Sequence, residues 1–102
     1  MKNTCSFLFL LLISSLTYAQ SAKHVLFIGN SYTATNNLPQ LVADVAESAG
    51  DTLYFDSNAP GGYTFEMHTT NTATINAIAA GTWDYVVLQE QSQIPSFSLD
   101  EV

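Results

Sequence analysis

The chain has very little positive charge. Among its 102 residues only Lys2 and Lys23 are basic, none is an arginine, and nine are acidic, so the net charge is −7. Partners that present phosphate, such as nucleic acids and anionic membrane surfaces, need basic side chains to neutralise them. The composition therefore excludes nucleic acid as a partner, and we interpret the acidity as a source of solubility.

Cysteine is also scarce, because Cys5 is the single one. A basic residue followed by an apolar run at residues 7–16 predicts a secretory signal peptide over residues 1–19, cleaved after Ala19. The run is short for a membrane span, although a retained anchor is the alternative. We expect a secreted or periplasmic protein with no stable membrane anchor after cleavage. Its domain, residues 20–102, must be stabilised by a core and not by disulfides.

Motifs that bind phosphate or metal are missing as well. There is no Gly-x-Gly-x-x-Gly and no P-loop lysine, which argues against a nucleotide-binding domain. No cluster of histidine, aspartate and glutamate has the spacing of metal ligands. We therefore expect neither a cofactor nor a metal.

Strand-like and helix-like patterns alternate along the chain. Residues 24–28 form a short apolar run typical of a strand buried on both faces, and residues 52–56 and 85–88 predict two further strands. An apolar stripe at helical spacing covers residues 38–49, and a weaker helix is predicted over residues 72–80. The order β-α-β-α-β predicts an α/β fold with a three-layer, flavodoxin-like parallel sheet in the strand order 2-1-3.

The turn Gly29-Asn30-Ser31 follows the first predicted strand. Glycine allows a sharp turn, and asparagine tolerates left-handed backbone geometry. Open α/β sheets build their ligand sites at the carboxyl ends of the strands, so Ser31 is a candidate nucleophile. The alternative is an ordinary turn between strand and helix in which the serine has no chemical role.

Two more segments are predicted to reach the same edge of the sheet. One is a glycine turn that contains Gly62, and the other follows the third strand and contains Gln89 and Gln91. The backbone N–H groups of Ser31 and Gly62, with a side-chain amide of either glutamine, are candidate donors for the oxyanion of an acyl-transfer reaction. A tight turn and a solvated loop are the structural alternatives.

The chain has two histidines, and neither is a convincing catalytic base. His24 begins the first strand, roughly 20 Å from Ser31 at about 3.3 Å per residue, which is too far. His68 follows the glycine turn and lies on the correct side, although a surface or helix-start histidine is the alternative. We assign His68, with Asn30 and Tyr63, to substrate binding and expect no base in this chain.

Two of these segments resemble sequence blocks of the SGNH (GDSL-type) hydrolase superfamily. The turn that contains Ser31 is similar to the first block, with Asn30 where the usual motif has aspartate. Gly62-Tyr63-Thr64 looks like the second block, in which the glycine N–H contributes to the oxyanion hole.

The third block is similar to that of a less characterised branch of the superfamily. Residues 83–92 contain Leu-Gln-Glu-Gln-Ser where the usual block ends in Gly-x-Asn-Asp. The final Asp-x-x-His block has no match in this chain. The resemblance covers nearly all of residues 24–95 and implies the flavodoxin-like SGNH fold.

The resemblance also implies a serine esterase that acts on small-molecule or carbohydrate esters, including acetylated carbohydrates. Ser31 is then the nucleophile, and Gly62 with Gln89 or Gln91 stabilises the oxyanion. Because the block that supplies the acid and base is missing, we expect this chain alone to be inactive. The alternative is a non-catalytic extracellular module with the same shell that binds a glycan or another ligand, with aromatic side chains stacking on sugars.

The last residues resemble the beginning of a helix. Ser98 suits an N-cap, and Glu101 follows three residues later. We therefore expect a truncated, N-terminal portion of a longer domain. In such a portion the third strand keeps an unpaired apolar edge, which favours aggregation.

Overall fold

The structure, a computed structural model, describes residues 21–101 and has an α/β fold. The signal peptide predicted over residues 1–19 lies outside the described residues. No helix within the described range is long and apolar enough to cross a membrane. The elements follow in the order β1 (Ala22–Ile28), α1 (Ser31–Ala34), α2 (Leu38–Ser48), β2 (Thr52–Asn58), α3 (Phe65–Thr69), α4 (Thr72–Ala79) and β3 (Tyr85–Leu88), with 3-10 turns at Thr35–Asn37 and Ile94–Ser96.

The strand β1 lies at the centre of a parallel three-stranded sheet with the order β2-β1-β3. The predicted strand order 2-1-3 is therefore confirmed. Ile28, the last residue of β1, lies opposite Asn58 of β2 and Leu88 of β3. The carboxyl ends of all three strands thus meet at one edge of the sheet, where the loops that follow them can form a common site.

The core is centred on the second half of β1. Val25, Leu26, Phe27 and Ile28 are each at most 4% exposed, as expected for a strand that is paired on both edges. Phe27 borders the side of the sheet that carries α2, whereas Ile28 borders the side that carries α4. Because adjacent strand residues point to opposite faces, the two helices lie on opposite faces of the sheet.

Apolar surface remains exposed on α2 and on β3. Val45 is 69% exposed in the stripe of α2, and Tyr85 and Leu88 are both 60% exposed in β3. No strand within residues 21–101 pairs with the outer edge of β3. An apolar edge strand of this kind favours association with other chains, as the sequence predicts.

Candidate functional site

The turn after β1 places Ser31 at the first position of α1. Asn30 is the N-cap: its side-chain oxygen accepts the Tyr32 N–H at 3.1 Å, and its carbonyl accepts the Thr33 N–H at 3.0 Å. The backbone of Asn30 is extended, with φ −140°, so the left-handed geometry that asparagine tolerates is not used at this residue. The favoured role of asparagine here is helix capping. Ser31 itself is exposed.

Asn30 joins the turn to the glycine-turn segment. It is only 1% exposed, and its side-chain nitrogen donates to the Tyr63 carbonyl at 3.0 Å. The amide orientation is unambiguous, because the Tyr32 N–H can only donate and the Tyr63 carbonyl can only accept. Both polar groups of the Asn30 side chain are therefore used within the protein. Asn30 therefore lies behind Ser31 with no polar group of its side chain left free for the substrate contact predicted from the sequence.

Gln89 joins the same turn to the end of β3. Its side-chain oxygen accepts the Asn30 N–H at 3.1 Å and the Thr33 hydroxyl at 2.9 Å, while its nitrogen donates to the Glu90 carbonyl. The predicted use of Gln89 as an oxyanion donor requires the side-chain nitrogen to point at the substrate. In this arrangement that nitrogen donates within its own loop.

Gly29 allows this close approach of the strand ends. A Cβ at this position would lie 2.5 Å from the Thr33 hydroxyl oxygen and 2.6 Å from the Gln89 side-chain oxygen. The backbone of Gly29 is not in the left-handed region. The glycine is therefore required by close packing and not, as the sequence suggests, by turn geometry.

Gly62 lies at the third position of a turn closed by the Tyr63 N–H, which donates to the Pro60 carbonyl at 3.3 Å. Its φ of +72°, without a positive φ at Gly61, is typical of a type II turn. The residue is exposed, and its N–H has no acceptor among residues 21–101. The Asn30–Tyr63 hydrogen bond holds this turn beside the Ser31 turn.

His68 is buried behind the Ser31 turn, with 4% of its surface exposed. Its Nε2 donates to the Gly29 carbonyl at 2.7 Å, because a carbonyl can only accept. Its Nδ1 lies 2.7 Å from the Thr74 hydroxyl, which also accepts from the Asn58 side chain at 2.7 Å. Both ring nitrogens are therefore used in a network that ties β1, β2 and α4 together. Neither ring nitrogen is therefore free for the substrate contact that the sequence predicts for His68.

The other predicted residues lie farther from this network. The Gln91 side-chain oxygen accepts the N–H groups of Gln93 and Ile94, at 2.6 and 3.2 Å, and so begins the last 3-10 turn. His24 lies on the β1 segment far from Ile28, with its ring stacked on Tyr54 at 5.1 Å. The expected exclusion of His24 from the site agrees with this position.

Ser31 borders an open cleft of about 470 Å³. Its hydroxyl and its N–H have no hydrogen-bond partner among the described residues. The lining residues that the structure describes carry no formal charge: Ser31, Tyr32, Thr35, Asn36, Leu38 and Leu41. An uncharged ligand with an apolar part suits such a lining.

No protein-family model, curated protein or solved structure matches the chain. Within residues 21–101 no three histidine, cysteine, aspartate or glutamate side chains are grouped so that they could hold a metal ion.

Replacing Gly29 by alanine is expected to lower the free energy of unfolding by about 2 kcal/mol, because the new Cβ displaces Thr33 and Gln89 from their hydrogen bonds. Gly61 is the matched control, since a Cβ there meets nothing within 4 Å. Gly61→Ala should change the free energy by no more than about 0.5 kcal/mol. Urea unfolding followed by the fluorescence of the single tryptophan measures both. Equal effects of the two substitutions would contradict the packing role of Gly29.

Proposed function

We propose that this chain carries the nucleophile and two oxyanion donors of an SGNH-like serine esterase. The observation that supports the proposal most directly is the position of Ser31. It is exposed beside a cleft, at the carboxyl end of the central strand, with a free hydroxyl among the described residues. This is the edge at which α/β sheets bind their ligands.

The proposed chemistry is acyl transfer. The Ser31 oxygen attacks an ester carbonyl, and the N–H groups of Ser31 and Gly62 stabilise the negative charge on the carbonyl oxygen. Neither N–H has an acceptor within residues 21–101. The Asn30–Tyr63 hydrogen bond supports the proposal because it keeps the Ser31 and Gly62 segments adjacent. The uncharged cleft favours a small-molecule or carbohydrate ester over an ionic substrate.

The described residues supply no free histidine as a base. His68 has both ring nitrogens in hydrogen bonds, and His24 lies far along β1. Without a general base the rate falls by about 10²- to 10⁴-fold. We therefore expect very slow ester hydrolysis by this chain. The rate of reaction at Ser31 should rise strongly when a base is added to the solution.

A fluorophosphonate probe with imidazole as the added base tests the proposal. In this reaction the serine oxygen–phosphorus bond forms, fluoride leaves and the hydroxyl proton passes to imidazole. We expect a single adduct, mapped to Ser31 by mass spectrometry, whose formation imidazole accelerates by up to about 100-fold. Ser31→Ala should abolish the adduct, whereas Ser92→Ala, a control at an exposed serine after β3, should retain it. Labelling spread over several serines, or labelling that persists in Ser31→Ala, would refute the nucleophile.

A second candidate function is binding without hydrolysis. The observation that favours it is the complete use of the His68 nitrogens, together with a 67% exposed Tyr32 in the cleft beside Ser31. An exposed aromatic ring can stack on a sugar. An acetylated oligosaccharide separates the two candidates when binding and acetate release are both followed with imidazole present. An esterase binds it and releases acetate, and Ser31→Ala stops the release, whereas a binding module binds it equally well with and without Ser31 and releases none. Isothermal titration measures the binding, and an enzymatic acetate assay measures the release.

A further inference from the structure

The peptide group between Gly29 and Asn30 is held at both ends by side chains that are distant in sequence. Its carbonyl, on Gly29, accepts the His68 Nε2–H at 2.7 Å. Its N–H, on Asn30, donates to the Gln89 side-chain oxygen at 3.1 Å. These contacts span 39 and 59 residues of the chain. A rotation of this peptide group would break both hydrogen bonds.

Gln89 is well placed to hold the N–H end. Its own N–H donates to the Ile28 carbonyl at 2.9 Å and continues the β1–β3 ladder, so the sheet fixes its backbone. The orientation of its side-chain amide is determined by its partners, because the Asn30 N–H can only donate and the Glu90 carbonyl can only accept. The same oxygen also accepts the Thr33 hydroxyl at 2.9 Å.

The two groups that Gln89 binds lie on either side of Ser31. One is the N–H of Asn30, directly before Ser31, and the other is the hydroxyl of Thr33 in the first turn of α1. A single acceptor oxygen therefore connects the entry and the first turn of the short helix on which Ser31 lies. With four residues, α1 has little stability of its own, so its orientation depends on such contacts.

We propose that Gln89 is a positioning residue for Ser31. It acts through the Asn30 N–H and the Thr33 hydroxyl. His68 holds the opposite end of the Gly29–Asn30 peptide. This role rests on the proposed function, because it concerns the orientation of the Ser31 hydroxyl toward its substrate. It differs from the use of Gln89 as an oxyanion donor, since the oxygen of the side chain acts and the nitrogen does not. A misplaced nucleophile loses rate even when the protein stays folded.

Two substitutions separate the acceptor oxygen from the bulk of the side chain. Gln89→Met keeps a similar length without a strong acceptor, whereas Gln89→Glu keeps an oxygen that can accept the Asn30 N–H. Gln93→Met, at an exposed position in the following turn, is the control. Each variant is examined in two ways: hydrogen exchange of the Asn30 amide by NMR, with the Phe27 amide as reference, and formation of the Ser31 adduct with the fluorophosphonate and imidazole.

We expect Gln89→Met to lower the protection of the Asn30 amide by about 10- to 100-fold relative to that of Phe27. Adduct formation at Ser31 should fall by about 10-fold or more. Gln89→Glu should raise both quantities above those of Gln89→Met, because its carboxylate still accepts the Asn30 N–H. The rescue should be incomplete, because the second oxygen replaces the nitrogen that donates to the Glu90 carbonyl. Gln93→Met should leave both unchanged.

Three results would overturn the positioning role. One is an equal loss of protection at Asn30 and Phe27 in Gln89→Met, which indicates general destabilisation. Another is a loss of Asn30 protection without slower labelling of Ser31. The third is labelling of Ser31 in Gln89→Glu that is no faster than in Gln89→Met. If no variant, nor the unsubstituted protein, is labelled at Ser31, the proposed nucleophile fails, and the Asn30 amide alone then decides whether Gln89 holds the turn.

Discussion

Replacing His68 by alanine should lower the free energy of unfolding by about 4 kcal/mol. The substitution removes a buried ring and leaves a cavity between the end of β1 and α4. It also leaves the Gly29 carbonyl without its donor and the Thr74 hydroxyl without the ring nitrogen. A loss of this size is a large share of the stability of a native protein, so a substantial fraction of the variant should be unfolded in the absence of denaturant.

His24→Ala is the control for this prediction. The His24 side chain is 50% exposed and its nitrogen lies 3.8 Å from the Asp84 carboxylate, while its backbone N–H keeps its own bond to that carboxylate. Exposed pairs of this kind contribute at most about 1 kcal/mol. Urea unfolding followed by circular dichroism compares the two variants. If the two substitutions lowered the free energy of unfolding equally, the hydrogen bonds of His68 would make no special contribution to stability.

Replacing Asn30 by aspartate should lower the free energy of unfolding by about 3 kcal/mol at neutral pH. The two side chains have the same shape, and an aspartate oxygen can still accept the Tyr32 N–H. The other oxygen, however, replaces a nitrogen that donates to the Tyr63 carbonyl at 3.0 Å. A buried carboxylate would then face a carbonyl oxygen, and the repulsion would push apart the Ser31 and Gly62 segments.

The cost of Asn30→Asp should depend on pH. Burial and the facing carbonyl raise the pKa of the introduced carboxyl in the folded state above about 3.9, its value in the unfolded chain. The protonated carboxyl can donate to the Tyr63 carbonyl, so the stability of the variant is close to normal below about pH 3.9. Stability is then lost as the pH rises through the raised pKa of the folded state. Asn36→Asp, at an exposed position, should cost little at any pH. A cost at residue 30 that does not change between pH 3.5 and pH 7 would contradict the assigned hydrogen bond.

The framework of this fold could be predicted because it depends on strong local patterns. The uninterrupted apolar run before Gly29 predicts a central strand, and alternation with two helical segments predicts a parallel sheet. Both are confirmed by β1 and by the order β2-β1-β3. The meeting of the segments that contain Asn30, Tyr63 and Gln89 followed from the same rule, since all three come after carboxyl ends of parallel strands.

The contacts inside the site could not be predicted in the same way. The helices α1 and α3, of four and five residues, are too short to produce a periodic pattern, and only their caps, Asn30 and Thr64, give a local signal. Glycine is needed at position 29 because the side chains of Thr33 and Gln89 pack against it. No local sequence pattern predicts that packing. The sequence offers Asn58, Asn71 and Thr74 as polar partners for the His68 ring. It does not indicate that Thr74 is the residue that forms the hydrogen bond.

The way the site is connected has a consequence for the order in which the chain folds. The hydrogen bonds that assemble it join residues 33, 39 and 59 positions apart, whereas α2 and α4 are built from local contacts. Closing long loops costs more entropy than closing short ones, so we expect β1 to pair with β2 before β3 brings Gln89 to the turn. The neighbourhood of Ser31 should therefore be the last part of the described chain to become ordered. The helices, of eleven and eight residues, should not persist without the sheet on which they pack, so the site should open together with the fold.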